Sequence, residues 1–173
     1  MSLTAVLLPP VNEGICGIAT PLDVAVLGAG RRAVELSPSA LVACRLAGAL
    51  AGWLDGAVQD AAALHLGQRV TGIRVAASYA CRGRNNDPAA ILSEHGRGTA
   101  IDIAAFRLAN GAWVEVRPAA AAPAPEGAFL AAIRSAACGP FTTVLGPGVA
   151  LHDDHLHLDL AVHGRNGDAL HCP

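Results

Sequence analysis

Residues 152–160 read His152-Asp153-Asp154-His155-Leu156-His157-Leu158-Asp159-Leu160. In an extended chain successive side chains point to opposite faces, so His155, His157 and Asp159 share one face and Leu156, Leu158 and Leu160 the other. The leucines make a buried face. No packing requirement puts two imidazoles and a carboxylate side by side on the opposite face, where a solvated strand usually carries Thr, Lys or Glu. The stretch from His155 to Ala161 therefore reads as a strand with one face in the core and the other set up for chemistry, metal ligation above all.

A second polar cluster stands upstream at Ser93-Glu94-His95-Gly96-Arg97-Gly98-Thr99-Ala100-Ile101-Asp102. A glycine-containing turn lets the chain leave His95 and enter a strand carrying Asp102, so both side chains can converge on one ion. Completed by a histidine of the downstream strand, the set is two imidazoles and a carboxylate. Three protein ligands leave a position for water, the pattern of a catalytic rather than a structural zinc site. Copper or nickel would accept the same ligands, and zinc rests partly on availability.

Around these clusters the pattern is α+β. Ser37-Pro38 supplies an N-cap and a first-turn proline for a helix running to about Leu66. Its apolar face is Leu41, Cys44, Leu46, Leu50, Trp53, Leu54, Val58 and Ala62, with His65 as a C-terminal cap. Arg69–Ala77 is rich in Val and Ile and reads as a strand. Thr99–Arg107 and Ala112–Val116 form a hairpin turning at Ala109-Asn110-Gly111. The Ala/Pro run from Pro118 to Pro125 is an exposed loop before a second helix from about Glu126 to Ala137, and Gly146-Pro147-Gly148 is a turn. The expectation is one domain over residues 1–173, an antiparallel sheet carrying the metal site and flanked by helices.

Composition narrows the function classes. The chain has 173 residues and a net charge of −2, without the basic field that nucleic acid demands. No run of about 18 uninterrupted apolar residues reads as a transmembrane helix. Cys16, Cys44, Cys81, Cys138 and Cys172 form no Cys-x-x-Cys pair, so disulfides are the better reading, with Cys16–Cys44 the preferred bridge and at least one thiol left over. Disulfides imply a periplasmic or secreted protein. Met-Ser-Leu-Thr-Ala is no signal peptide, and one is expected to have been removed.

Ser93-x-His95-x-x-Gly98-x-Ala100-x-Asp102 followed by His155-x-His157 resembles the motif pair of the zinc peptidases related to D-alanyl-D-alanine carboxypeptidases, murein endopeptidases and the hedgehog signalling domain. More narrowly, the chain resembles the bacterial extensin-like C-terminal domain family. Ser78-Tyr79-x-Cys81-Arg82, the Ser-Glu-His motif, Val144-Leu145-Gly146-Pro147-Gly148 and Asp154-His155-Leu156-His157-Leu158-Asp159 carry that match, over roughly Gly14 to Cys172.

The broader resemblance implies zinc as cofactor and hydrolysis of an amide bond in peptidoglycan peptide, by a carboxypeptidase or an endopeptidase. By position it assigns His95, Asp102 and His157 as ligands and His155 as the histidine beside the metal. The general base is His152, whose ordinary pKa suits work near neutrality, or Asp154, which could instead orient an imidazole. Arg82 matches an arginine near the reacting carbonyl or the substrate carboxylate. Ser93 and Tyr79 bind substrate or brace the loop, and Asp159 could hold a ligand histidine through its second nitrogen. The rival expectation is a zinc-containing domain that binds cell wall or protein without catalysis, because fold does not fix function.

Overall fold

The computed structural model describes residues 3–84, 87, 89–118, 121–164, 167 and 169–173. In chain order the strands are β1 (Leu3–Leu7), β2 (Val11–Glu13), β3 (Cys16–Ile18), β4 (Pro21–Leu27) and β5 (Val34–Ala43), followed by helices α1 (Cys44–Trp53) and α2 (Gln59–Leu66). Then come β6 (Val70–Ala77), β7 (Ala100–Leu108), β8 (Trp113–Glu115), helix α3 (Ala124–Ala137), β9 (Thr143–Leu145) and β10 (Leu156–Asp159). One eight-stranded sheet runs β1-β4-β5-β6-β7-β10-β9 with β8 paired to β7, and β2-β3 is a separate small ribbon. The result is a single α+β domain.

The expected alternation at the C-terminal strand is present. Leu156 and Leu158 of β10 are buried beside Ile101 and Ile103 of β7 in the core that the three helices cover. The pairing is antiparallel, with Leu156 opposite Ile103, His157 opposite Asp102 and Leu158 opposite Ile101. At the centre of the core Trp53 meets Phe106 and Phe141 edge to face at 6.2 and 5.9 Å, and Phe106 meets Phe129 at 5.5 Å. Rings in this geometry add to the area they bury, and the Trp53 indole N–H donates to the Ile133 carbonyl at 3.0 Å.

The sheet is not wholly antiparallel: β5 and β6 are parallel. That pair needs a crossover, which α1, a π-helical turn at Leu54–Val58 and α2 supply. The same helices explain where the expected helix start fails. Ser37-Pro38 lies within β5, and the helix begins at Cys44. Val34, Leu36, Ala40 and Val42 are the buried residues of that strand, a period of two interrupted at Pro38. The ladder to β4 slips there, from Val26↔Glu35 to Val24↔Ala40, and the ladder to β6 ends at Ser37. A bulge thus takes the residue that has no N–H to donate. Leu41 consequently belongs to the strand, and Cys44 is exposed.

His65 does not cap its helix. It sits in the last turn, and Gly67 ends the helix in the left-handed conformation at φ 60° with its N–H on the Ala62 carbonyl. The hairpin turn is as expected: Gly111 adopts φ 88° and its N–H reaches the Leu108 carbonyl at 3.0 Å. Within the Ala/Pro run, Ala119 and Ala120 lie outside the described residues. Helix α3 starts at Ala124, two residues earlier than expected, because Pro125 is tolerated in a first turn that needs no N–H from it.

The disulfides are Cys16–Cys81 and Cys138–Cys172, and Cys44 is free. The preferred Cys16–Cys44 bridge is therefore corrected: Cys44 opens α1 on its solvent side, whereas Cys16 on β3 faces the segment after β6. Two bridges are compatible with a periplasmic or extracellular location. No helix among the described residues is long and apolar enough to cross a membrane.

Candidate metal centre

Strand pairing brings the two sequence clusters together. Asp102 and His157 are direct cross-strand partners on the sheet face opposite the core, and the His157 Nδ1 lies 2.8 Å from the Asp102 Oδ1. His95 comes from a one-turn 3-10 helix, Glu94–Arg97, that leads into β7. Ser93 starts this turn by accepting the His95 backbone N–H at 3.3 Å, and Gly98 ends it at φ 64°, a conformation that glycine enters freely. The Nε2 of His95 then lies 3.2 Å from the Asp102 Oδ2. One ligand atom from each of the three residues falls within 4.8 Å of the others.

The hydrogen bonds fix which atoms face inward. The Ser78 carbonyl can only accept, so the His95 Nδ1–H donates to it at 2.6 Å and Nε2 carries the lone pair. That Nε2 is buried and makes no hydrogen bond, although it stands beside a carboxylate oxygen. An orphaned buried nitrogen is rare and costly. A cation lying between His95, Asp102 and His157 would satisfy it, and two imidazoles with a carboxylate suit zinc.

His157 is held on both sides. Its Nδ1 faces Asp102, and its Nε2 lies 3.1 Å from the Asp159 Oδ2, while the Asp159 Oδ1 accepts the Ala161 N–H at 2.9 Å. Both carboxylates only accept, so His157 donates from both nitrogens in this arrangement. Burial pulls its pKa down, but the hydrogen bonds and charges of Asp102 and Asp159 outweigh it and push the value up to about 9. Burial likewise opposes ionisation of Asp102, yet the hydrogen bond from His157 and the close approach of the His95 ring hold it well below the usual carboxylate range.

These residues line a cleft of about 590 Å³. His152 and His155 form its adjoining wall, with the His152 ring 5.0 Å from that of His155 and 5.8 Å from that of His157. The His152 Nδ1–H donates to the Ala150 carbonyl at 2.7 Å, leaving Nε2 as the free acceptor, and burial lowers the pKa of the ring. Arg82 and Ser93 also line the cleft, joined by a Ser93 N–H to Arg82 carbonyl bond of 3.1 Å.

Two expected site residues are not brought in. Asp154 stays outside the lining with its side chain 91% exposed and accepts the His155 Nδ1–H at 2.8 Å, so it orients an imidazole. Tyr79 is also outside the lining. Its hydroxyl donates to Glu13 on β2 at 3.0 Å, an arrangement that fits the bracing alternative of the two expected for it.

Other residues of the site had no signal in the sequence. Arg84, His163 and His171 line the cleft, and the buried Thr143 lies 2.7 Å from the His163 Nε2 through its Oγ1. His171 reaches the cleft because the C-terminal segment pairs with β9, its N–H donating to Thr142 at 2.7 Å, close to the Cys138–Cys172 bridge. No local pattern in the sequence marks these histidines, since the pairing depends on tertiary contacts.

A family model described as extensin-like protein C-terminus matches residues 3–172. No curated protein matches the chain, and no solved structure does.

Proposed function

The chain belongs to the extensin-like protein C-terminus family, and from that premise we propose that it is a zinc-dependent hydrolase of an amide bond in peptidoglycan peptide. One observation carries the reading. His95 Nε2 is buried without a hydrogen-bond partner at the floor of a cleft, within ligand distance of Asp102 and His157. A structural zinc would be closed by four ligands, commonly cysteines, and four of the five cysteines are committed to disulfides.

In this reading His95, Asp102 and His157 hold the metal, and zinc when bound supplies the Lewis acidity that acidifies water and polarises a carbonyl. Asp159 and the Ser78 carbonyl fix the two imidazoles through their outer nitrogens. His152 takes the proton from the attacking water at its Nε2, a site left open because Nδ1 is committed to Ala150. Burial lowers its pKa, which favours the neutral ring that can accept a proton. His155, oriented by Asp154, faces the reacting group from the same wall. Arg82, at the cleft edge, stabilises charge growing on the carbonyl oxygen or pairs with a substrate carboxylate.

The test is purified protein assayed for zinc and incubated with peptidoglycan, alone, with chelator, and as His157→Ala. Release of fragments that requires both zinc and His157 is the expected result, and fragment masses then name the bond. Stoichiometric zinc with no cleavage would replace the hydrolase with a zinc-holding recognition domain.

A further inference from the structure

Leu151 is the only non-glycine residue with a left-handed backbone among the described residues, at φ 67°. It is the third residue of the turn Val149–His152, closed by the His152 N–H on the Val149 carbonyl at 3.0 Å. Such positions go to Gly or Asn, because a Cβ is crowded there, and a leucine in this conformation is strained. The backbone geometry has its own use: it presents the Ala150 carbonyl to the His152 Nδ1 at 2.7 Å. Glycine or asparagine would serve that purpose with less strain.

The leucine side chain gains nothing from the fold in return, being 72% exposed. It lies instead on the cleft wall next to His152. The apolar residues of the cleft lining are Leu145, Val149, Ala150 and Leu151, all from one short segment, and every other lining residue is polar or charged. The segment is anchored from behind. The Gly148 N–H donates to Asp153 at 2.9 Å and the Val149 N–H to the Gly146 carbonyl at 3.0 Å. Gly146 is so close to Leu156 that a Cβ there would lie 2.7 Å from Cδ2.

We propose that Leu151 is a specificity-determining residue, and that Leu145, Val149 and Leu151 form an apolar shelf receiving an aliphatic side chain of the substrate peptide beside the bond that is cleaved. The inference rests on the peptide-hydrolase reading and adds to it the substrate class: a peptide with a methyl or larger alkyl group on the side facing this shelf, and polar or charged groups on the side facing Arg82 and Arg84. An exposed apolar group held at a cost in backbone energy is explained by the partner it meets, as at other strained functional sites.

The experiment uses zinc-loaded Leu151→Asn and Leu151→Met. Asparagine has nearly the shape of leucine, tolerates the left-handed backbone and removes the apolar surface, whereas methionine keeps that surface. With a muropeptide carrying alanine at the cleaved bond, Leu151→Asn is expected to lower kcat/KM roughly tenfold through KM. Zinc content and pH profile should be retained, the melting temperature should be retained or raised by the relieved backbone strain, preference for alanine over an otherwise identical serine peptide should shrink, and Leu151→Met should recover most of the loss. Unchanged KM and unchanged preference in Leu151→Asn would overturn the shelf. If the wild-type protein cleaves nothing, calorimetric binding of the same intact muropeptide takes the place of turnover. Binding weakened by Leu151→Asn keeps the shelf and removes the hydrolase. Binding indifferent to it, or absent in the wild type, overturns the shelf as well.

Discussion

Asp102 and His157 face each other directly across β7 and β10, with Nδ1 and Oδ1 2.8 Å apart, and the residues flanking each of them point into the core. Because side chains alternate with a period of two, a slip of one residue in this pairing would bury His157 and expose Leu156 and Leu158. The apolar core therefore sets the register, and the register sets the spacing of the site. A hydrophobic pattern is what places two candidate ligands within bonding distance of one point.

Ligand and supporting residues should separate by magnitude. Asp102→Ala removes a candidate ligand and should abolish stoichiometric zinc. Asp159→Ala leaves all three candidate ligands but frees the outer nitrogen of His157, and a loss of that kind costs about 10- to 100-fold in metal affinity. Competition with a chelator of known affinity measures both. Equal losses for the two variants would contradict the assignment of Asp159 as the outer support.

The stability of zinc-stripped protein should fall as pH rises through the alkaline range. His157 has its folded pKa raised to about 9, so its contribution is complete below its ordinary pKa of about 6.5 and is lost as pH climbs through 9, on the order of 3 kcal/mol. Asp102, whose folded pKa is depressed, shows the same contact from the other side: its share is present above the ordinary carboxylate pKa and is lost as pH falls through the lower value. Zinc competes with the His157 proton, so metal binding should tighten as pH rises toward 9 and release close to one proton near neutrality. Melting curves of stripped protein, with calorimetric enthalpies in buffers of different ionisation heat, check both statements. A flat profile and no proton release would sink them.

Cys16–Cys81 should matter for the site as well as for stability. It closes a separation of 65 residues, for which chain entropy in the unfolded state predicts about 4 kcal/mol. The Cys16 Sγ packs under the His95 turn so closely that a Cβ on Gly96 would lie 3.0 Å from it. Replacing both cysteines by serine is expected to lower the melting temperature and weaken zinc retention together. Cys44→Ser, at an exposed free thiol, should change stability by less than about 0.5 kcal/mol and leave zinc content alone. Loss of zinc in Cys44→Ser with none in the double variant would reverse this assignment.

What the sequence disclosed of this fold and site follows from the range of the signal. The β10 alternation, the β7–β8 hairpin and the Ser93–Asp102 turn are local patterns, each readable from a dozen residues. The β1, β4 and β5 pairings depend on contacts across the sheet, and β5 carried a Ser-Pro pair that locally mimics a helix start. Only its bulge against β4 shows why a proline belongs there. His163 and His171 were invisible for the same reason: each reaches the cleft through Thr143 or through pairing with β9, and neither contact leaves a periodic mark.

Gly98 is the position where one added methyl group should damage fold and site together. Its φ of 64° lies where alanine is strained by about 1 kcal/mol, and a Cβ there would stand 2.3 Å from the Ile18 Cδ1 and 2.7 Å from its Cγ1. The Gly98 carbonyl accepts the Ala43 N–H at 2.8 Å, so the backbone cannot withdraw without breaking the link between the His95 turn and the end of β5. Overpacking of this kind adds about 1–3 kcal/mol to the backbone strain. Gly98→Ala is therefore expected to destabilise by about 2–4 kcal/mol and to weaken zinc binding by shifting His95. The two causes separate in a cycle with Ile18→Ala. Removing the isoleucine should relieve the steric part and leave the backbone part, giving the pair a coupling of about 1 kcal/mol or more in the stabilising direction. Strict additivity in denaturant midpoints would show that the Ile18 contact is not what makes Gly98 necessary.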